Sequence, residues 1–255
     1  MTFDTGEHIV SSYDEKISEL RRTVLEMGTL AREQLDAVSM ILGEYERAAA
    51  LAMAGRVFAR EERIDQCDND AERAIELLLA LRAPLAGDLR HVLSLTNAAR
   101  ELERIGDECR KIAALGSELG HRGTTRRSLL EDSVLPLLPL ATALLDDALT
   151  ALRDHDVDFA QTLLNRDDAL DTAFRKALNR LSTVMSENPA MIQSGIDLVQ
   201  VAKALERIGD HCENIAEHIV FCVRGKEARY AAYYAALQAQ MTGAAAASHN
   251  SGDAA

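Results

Sequence analysis

Proline, aromatic and basic residues are all scarce in this chain, and long apolar runs are missing. Four prolines occur in 255 residues (Pro84, Pro136, Pro139 and Pro189), aromatic side chains make up 4%, and tryptophan is absent. With abundant Ala, Leu, Glu and Arg, that is a poor recipe for strands, so an all-α chain is expected. No apolar run approaches the roughly 18 residues a membrane span needs. LLLALRAPLA and SVLPLLPLATALL stop early or carry proline, so the chain is not expected to cross a membrane. Basic charge is short as well: 28 Lys and Arg stand against 41 Asp and Glu, a formal net charge of −13. Such a surface repels phosphate backbones except at a local patch, which argues against a nucleic-acid partner. The stretch MTFDTGEHIVSSYDEK lacks a basic start followed by an apolar segment, so the expected location is cytoplasmic. Cys67, Cys109, Cys212 and Cys222 fall at no zinc-finger spacing and read as small buried hydrophobes.

What is present is enough apolar material for a core, 47% of residues, arranged with helical periodicity. Ile17, Leu20, Val24, Met27, Ala31, Leu35, Val38 and Leu42 form one stripe of a long first helix. A second helix starts near Glu46, carries Val57, Ile64, Cys67, Ala71, Ile75 and Leu78 on one face, and stops at Pro84. A third runs from about Asp88 to Gly116, with Gly116, Gly120 and Gly123 marking its end and Asp88 accepting from free amides at its start. Ser128 and Glu131 have capping-box spacing and are expected to open a fourth helix, bent by Pro136 and Pro139. A fifth is expected over 156–185 and a sixth over 189–223. Beyond Gly225, KEARYAAYYAALQAQ reads as an exposed helix and the last, Ala-rich stretch as disordered.

The chain repeats itself. ELERIGDECRKIA (101–113) and ALERIGDHCENIA (204–216) agree at nine of thirteen positions, an offset of 103 residues. EERID around Glu61 and Asp65 matches DDALD around Asp167 and Asp171. The expected fold is therefore two similar three-helix bundles related by internal duplication, over 8–122 and 123–225, with a C-terminal extension over 226–255.

Four carboxylates recur in each unit: Glu61, Asp65, Glu103 and Asp107 in the first, and Asp167, Asp171, Glu206 and Asp210 in the second. Each pair is spaced i, i+4, which puts both acids on one side of a helix, on the flank of the apolar stripe. Like charges so placed repel unless a cation neutralises them, and oxygen-rich groups of this kind suit Mg, Mn, Ca or iron. The competing reading is a solvated ion-pair network, with Lys111 four residues after Asp107 and Arg100 three before Glu103. In the second unit Asn214 replaces that lysine, and Asn214 and Glu217 are candidate extra ligands.

The LALR-x-P-x-x-x-DLR turn into helix three, LRRTVLEMGTLA on helix one, the two LERIGD segments and NIAEHIVFCVRG on helix six resemble the PhoU family, accessory proteins of the bacterial phosphate-specific transport system. The resemblance covers about residues 8 to 225. It implies two side-by-side three-helix bundles, and multinuclear clusters of divalent or iron-type ions (Fe, Zn, Mn or Mg) on the eight carboxylates. It also implies a regulatory, non-enzymatic role, restraining phosphate uptake and the phosphate-starvation response. The implied partners are the transporter's ATPase subunit and a phosphate-sensing histidine kinase, with the protein a homodimer that meets the membrane only through them. Asp167 departs from the motif's usual first residue.

Two other readings compete. A ferritin-like di-metal carboxylate enzyme needs Glu-x-x-His on two bundle helices, and the one instance here, Glu118 to His121, sits in a Gly-flanked connection. A metal-free helical scaffold is the third reading. No Gly-rich phosphate loop or Ser, His and Asp set with recognisable spacing is present. His211 reads as solvated or partner-facing, His91 and His218 lack spaced partners, and Arg90 is read as anchoring the turn or contacting a phosphate.

Overall fold

The computed structural model describes residues 5–44, 46–82, 86–119, 124–164, 166 and 168–224, with no strand among them. The first unit is three long helices: α1 (Thr5–Gly43), α2 (Arg47–Arg82) and α3 (Ala86–Leu119). The second is more broken. It comprises α4 (Thr124–Ser133), α5 (Leu138–Asp154), α6 (Val157–Leu163), α7 (Asp168–Glu187) and α8 (Ile192–Arg224), with short 3-10 turns at Leu135–Leu137 and Pro189–Met191.

The apolar stripes fall where the periodicity puts them. Leu20, Val24, Met27, Ala31, Leu35, Val38 and Leu42 of α1 are buried against Val57, Ile64, Cys67 and Ala71 of α2 and Leu95, Ala98, Leu102, Ile105 and Cys109 of α3, while Ile17 is half-buried. Each large side chain so buried contributes about 1.5–3 kcal/mol relative to an exposed one. All four cysteines are free thiols, Cys222 alone half-buried.

Four expectations need correction. The fourth helix is two, because neither Pro136 nor Pro139 has an N–H to donate. Pro136 opens the 3-10 turn and Pro139 the first turn of α5, the two positions where a missing N–H does no harm. Ser128 is not an N-cap: α4 starts four residues earlier, and Ser128 lies inside it beside Asp132. The fifth helix is also two. Asp156 caps α6 by accepting from the Phe159 N–H at 2.9 Å, and a second N-terminus follows where Asp168 and Asp171 favour the positive end of α7. Gly116 does not end α3, which continues to Leu119. It is a close-packing position, where a Cβ would stand 2.9 Å from Leu42 Cδ2.

By length and apolar content the stretch Arg127–Asp154 is long enough to cross a membrane, against expectation. Here it is interrupted by the 3-10 turn and buries Leu138, Ala141, Leu145, Ala148, Ala151 and Leu152 in the core.

The two units join through α3 and α8, the most extensive helix pair in the molecule. Arg90 Nε donates to the Cys222 carbonyl at 3.1 Å, and Ser94 Oγ to the His218 carbonyl at 2.8 Å. Further along, His211 Nδ1 lies 2.7 Å from Glu101 Oε2, and Arg207 pairs with Glu108 at 2.8 Å. Numbers rise on one helix as they fall on the other, so the duplicated helices meet antiparallel, as a pseudo-two-fold relation requires. At the far end Arg127 donates to the Leu42 and Gly43 carbonyls (2.7 and 3.0 Å), covering the free carbonyl end of α1.

Leu102, wholly buried on the helix both units share, is a direct check on this packing. Leu102→Ala should lower unfolding free energy by about 2–5 kcal/mol in urea titration.

Candidate functional site

The acidic pairs of the first unit lie on α2 and α3, and the structure places them unevenly. Asp65 is exposed, and Glu103 and Asp107 are half-buried. Glu61 is not on the flank of its helix as the spacing suggests: it is 5% exposed, inside the bundle, in the same stripe as Val57 and Ile64. What admits it is the glycine of ERIGD, since a Cβ on Gly106 would stand 2.7 Å from Glu61 Oε2. Gln34 of α1, fully buried, completes the cluster. Its Nε2 donates to Glu61 Oε2 at 2.8 Å and to the Val57 carbonyl at 3.1 Å. Glu61 Oε1 and Gln34 Oε1 are buried with no hydrogen-bond partner.

The electrostatics follow from that burial. Loss of solvent pushes the Glu61 carboxyl up to about 7; the Gln34 hydrogen bond opposes this, and the Asp107 and Asp65 charges reinforce it. Glu103 is raised for the same first reason, burial, and then by Asp107, Asp68 and Asp65. Asp68, which sequence spacing does not single out, is raised by burial and by Glu72. Glu61, Asp65, Asp68, Glu103 and Asp107 are thus close enough to feel one another. Among the described residues, however, no three His, Cys, Asp or Glu side chains stand close enough to ligate one ion as they are placed.

The expected ion pairs are differently wired. Asp107 pairs with Arg110 at 2.9 Å, while Lys111 reaches Glu108 at 3.1 Å. Arg100 approaches Glu72 at 3.9 Å instead of Glu103. Glu118 of the lone Glu-x-x-His pairs with Arg47 at 2.8 Å, and His121 lies outside the described residues.

In the second unit the described counterparts have different surroundings. Asp167 lies outside the described residues, Asp171 sits in the first turn of α7, and Asp210 is exposed. Glu206 is engaged by Lys203, whose ammonium also lies 5.5 Å from the Phe174 ring centroid. Gly209, equivalent to Gly106, faces Leu170 and Leu144 where Gly106 faces Ile64, Glu61 and Gln34. Asn214 Nδ2 donates to Glu101 Oε2 across the seam at 3.1 Å. One further expectation changes here. His211 is 6% exposed, neither solvated nor partner-facing, and is held by the same carboxylate, which His211, Asn214 and Arg104 pull below the usual range against the effect of burial.

Gln34 and Glu101, like Asp68, are polar residues that sequence reasoning missed. Gln34 interrupts an apolar stripe between Ala31 and Val38, which is a readable signal. Glu101 has none, because its partners come from the other unit.

The fold and this site define a duplicated all-helical bundle protein with a buried, charge-loaded carboxylate in one unit. Comparison with known proteins agrees. The PhoU domain matches residues 24–115 and 136–219. A phosphate-specific transport system accessory protein PhoU homolog from Pseudomonas putida is 33% identical over 88% of this chain and 85% of its own length. One from Caulobacter vibrioides is 36% identical over 87% of this chain and 94% of its own. The crystal structure of PhoU from Pseudomonas aeruginosa superposes with a TM-score of 0.77 at 30% identity, covering 84% of this chain and all of that one. That of the phosphate transport system regulatory protein PhoU from Streptococcus pneumoniae gives 0.73 at 25%, covering 84% and 98%. The chain belongs to the PhoU family.

The raised Glu61 carboxyl makes a signed prediction. Its folded value, about 7, lies above the usual 4.5, so the proton is held more tightly in the folded state. Its contribution to stability is fully present below pH 4.5 and is lost as pH rises through about 7. Urea unfolding of metal-free protein between about pH 5 and about pH 8 should show a loss of about 1–3 kcal/mol, and Glu61→Gln should flatten most of it.

Proposed function

We propose that this protein is a regulator of phosphate transport, restraining phosphate uptake and the phosphate-starvation response by contact with other proteins and converting no substrate. The observation that carries the reading is the match, along nearly nine-tenths of the chain, to relatives named as accessory proteins of the phosphate-specific transport system. The partners are the transporter's ATPase subunit and the phosphate-sensing histidine kinase. The protein acts in the cytoplasm as a homodimer and reaches the membrane only through them.

Metal belongs to the same proposal. The first unit suits a hard, oxygen-seeking cation in three respects: its donors are carboxylates, one buried carboxylate oxygen is unpartnered, and burial, followed by mutual repulsion, already raises Glu61 and Glu103. Glu61, Asp65, Glu103 and Asp107 would hold it, with Asp167, Asp171, Glu206 and Asp210 as the second set. A bound Fe, Zn, Mn or Mg ion supplies the positive charge that the four acids lack. The chain's own residues then act simply. Glu61 gives up its proton, Gln34 keeps its carboxylate aimed between α2 and α3, and Gly106 lets the two helices close over it. The spacing of α2 and α3, and so the surface offered to partners, is thereby tied to ionisation at this position.

Pull-down of the ATPase subunit and the kinase by this protein, in phosphate-rich and phosphate-poor conditions, tests the reading. Capture of both, stronger in the phosphate-rich arm and weakened by Glu61→Gln with Asp107→Asn, is expected. Capture of neither, or a measurable turnover by the protein alone, would remove it.

A further inference from the structure

Away from the acidic flank, a second cluster of polar groups lies where the two units meet. Three nitrogens from three different elements are sealed from solvent there without a hydrogen-bond partner: Arg21 Nε of α1, His91 Nε2 of α3, and His155 Nε2 at the C-terminal cap of α5. The two imidazole centroids are 4.8 Å apart with planes at 59°. Arg21 is fixed by its Nη2, which donates to the Arg153 carbonyl two residues before His155, so the guanidinium belongs to the same junction. Its charge is felt by both rings.

Ring packing accounts for the imidazole pair but not for a buried guanidinium N–H with nothing to donate to. An apolar occupant would leave all three nitrogens unsatisfied, and a metal cation is opposed by a guanidinium that never loses its charge. The remaining complement is an anion that only needs to accept, from several directions at once. We propose that Arg21, His91 and His155 form a binding site for a tetrahedral inorganic oxyanion, phosphate or sulfate, at the seam between the two units.

The backbone supports this reading. His155 is the one non-glycine residue with positive φ among those described, at φ 52° and ψ 33°. It holds its ring toward His91 from a left-handed cap that glycine or asparagine takes more readily. Strain of this sort tends to persist where a side chain is needed in one place. Two carboxylates near the junction oppose an anion: Asp154, which is paired with Arg153 at 2.9 Å and also feels Arg21, and Asp88, which acts on His91 with the opposite sign to Arg21. Burial first depresses both imidazoles, helped by Arg21 at His91 and by His91 and then Arg21 at His155, so the neutral rings are favoured and an arriving anion favours protonating them.

The proposal does not rest on the transport reading, and the pull-down above tests that reading separately. Calorimetric titration of the full chain in chloride buffer with inorganic phosphate, and separately with sulfate, should show one saturable site. Affinity should be higher near pH 6 than near pH 8 by about tenfold, with proton uptake. Stronger binding of phosphate than sulfate would make phosphate the natural ligand; the reverse order would assign sulfate. His91→Gln and His155→Asn should each weaken binding at least about tenfold, the second keeping a residue that tolerates the left-handed backbone. Histidine side-chain NMR of the unaltered protein keeps the test open should a variant unfold, since the His91 and His155 Nε2 signals should move on adding phosphate. No heat and no shift up to about 10 mM anion, equal binding by both variants, or shifts with zinc alone would each overturn the site.

Discussion

The antiparallel contact of α3 with α8 is the constraint on which the molecule depends. Each unit has one long helix carrying LERIGD, and in both units that helix is the one used to close against the other. It therefore has two faces to satisfy at once: an apolar stripe turned into its own unit and a second face turned across the seam. Glu101 and Glu108 are the visible consequence. Both are nearly inaccessible, and both find their partners across the seam, Glu101 in His211 and Asn214, Glu108 in Arg207. A buried carboxylate without such partners would be a heavy liability, so this face of α3 is specified by α8 and could not be kept in an isolated unit at the same free energy.

Duplication preserved the backbone solution and let the chemistry diverge. The glycine of ERIGD permits the same close approach in both units, but what approaches differs. Around Gly106 it is Glu61 and Gln34 together with Ile64; around Gly209 it is Leu170 and Leu144. A glycine in a tight helix contact is indifferent to whether its neighbour is a methyl group or a carboxylate, since either fills the space a Cβ would need. The electrostatic cost is not indifferent, and it appears in the carboxyl of Glu61 raised to about 7; in the second unit Glu206 is paired with Lys203.

Much of this was legible beforehand, for physical reasons. Long helices with a strict 3.6 period declare their buried face, and every stripe residue from Leu20 to Leu42 is buried as its spacing demands. The internal repeat declares the two-unit fold. Helix ends are harder, because a cap is a local preference that competes with neighbours a few residues away: Ser128 has the right partner at the right spacing, yet the helix simply begins earlier at Thr124. Glu61 was expected on the flank of its helix and is buried inside the bundle, since a 3.6 period cannot say that a glycine on another helix makes room for a carboxylate. His91, His155 and Glu101 were out of reach for a plainer reason. Their neighbours are 64 to 113 positions away in the chain, and one-dimensional patterning carries no information about them.

The two concentrations of uncompensated polarity have opposite character and share one helix. Glu103 and Asp107 of α3 belong to the acidic flank, and His91 of α3 to the nitrogen cluster. Twelve residues of α-helix separate His91 from Glu103, about 18 Å along the axis, roughly twice the distance over which charges are screened at physiological salt. The two clusters therefore have little direct Coulomb contact through solvent. Whatever passes between them passes through the packing of α3, which is held by α1 and α2 on one side and by α8 on the other. A helix gripped on both sides moves as a rod if it moves at all. Any shift of this rod against the seam would have to break the pairings of Glu101 with His211 and of Glu108 with Arg207, which fix α3 against α8.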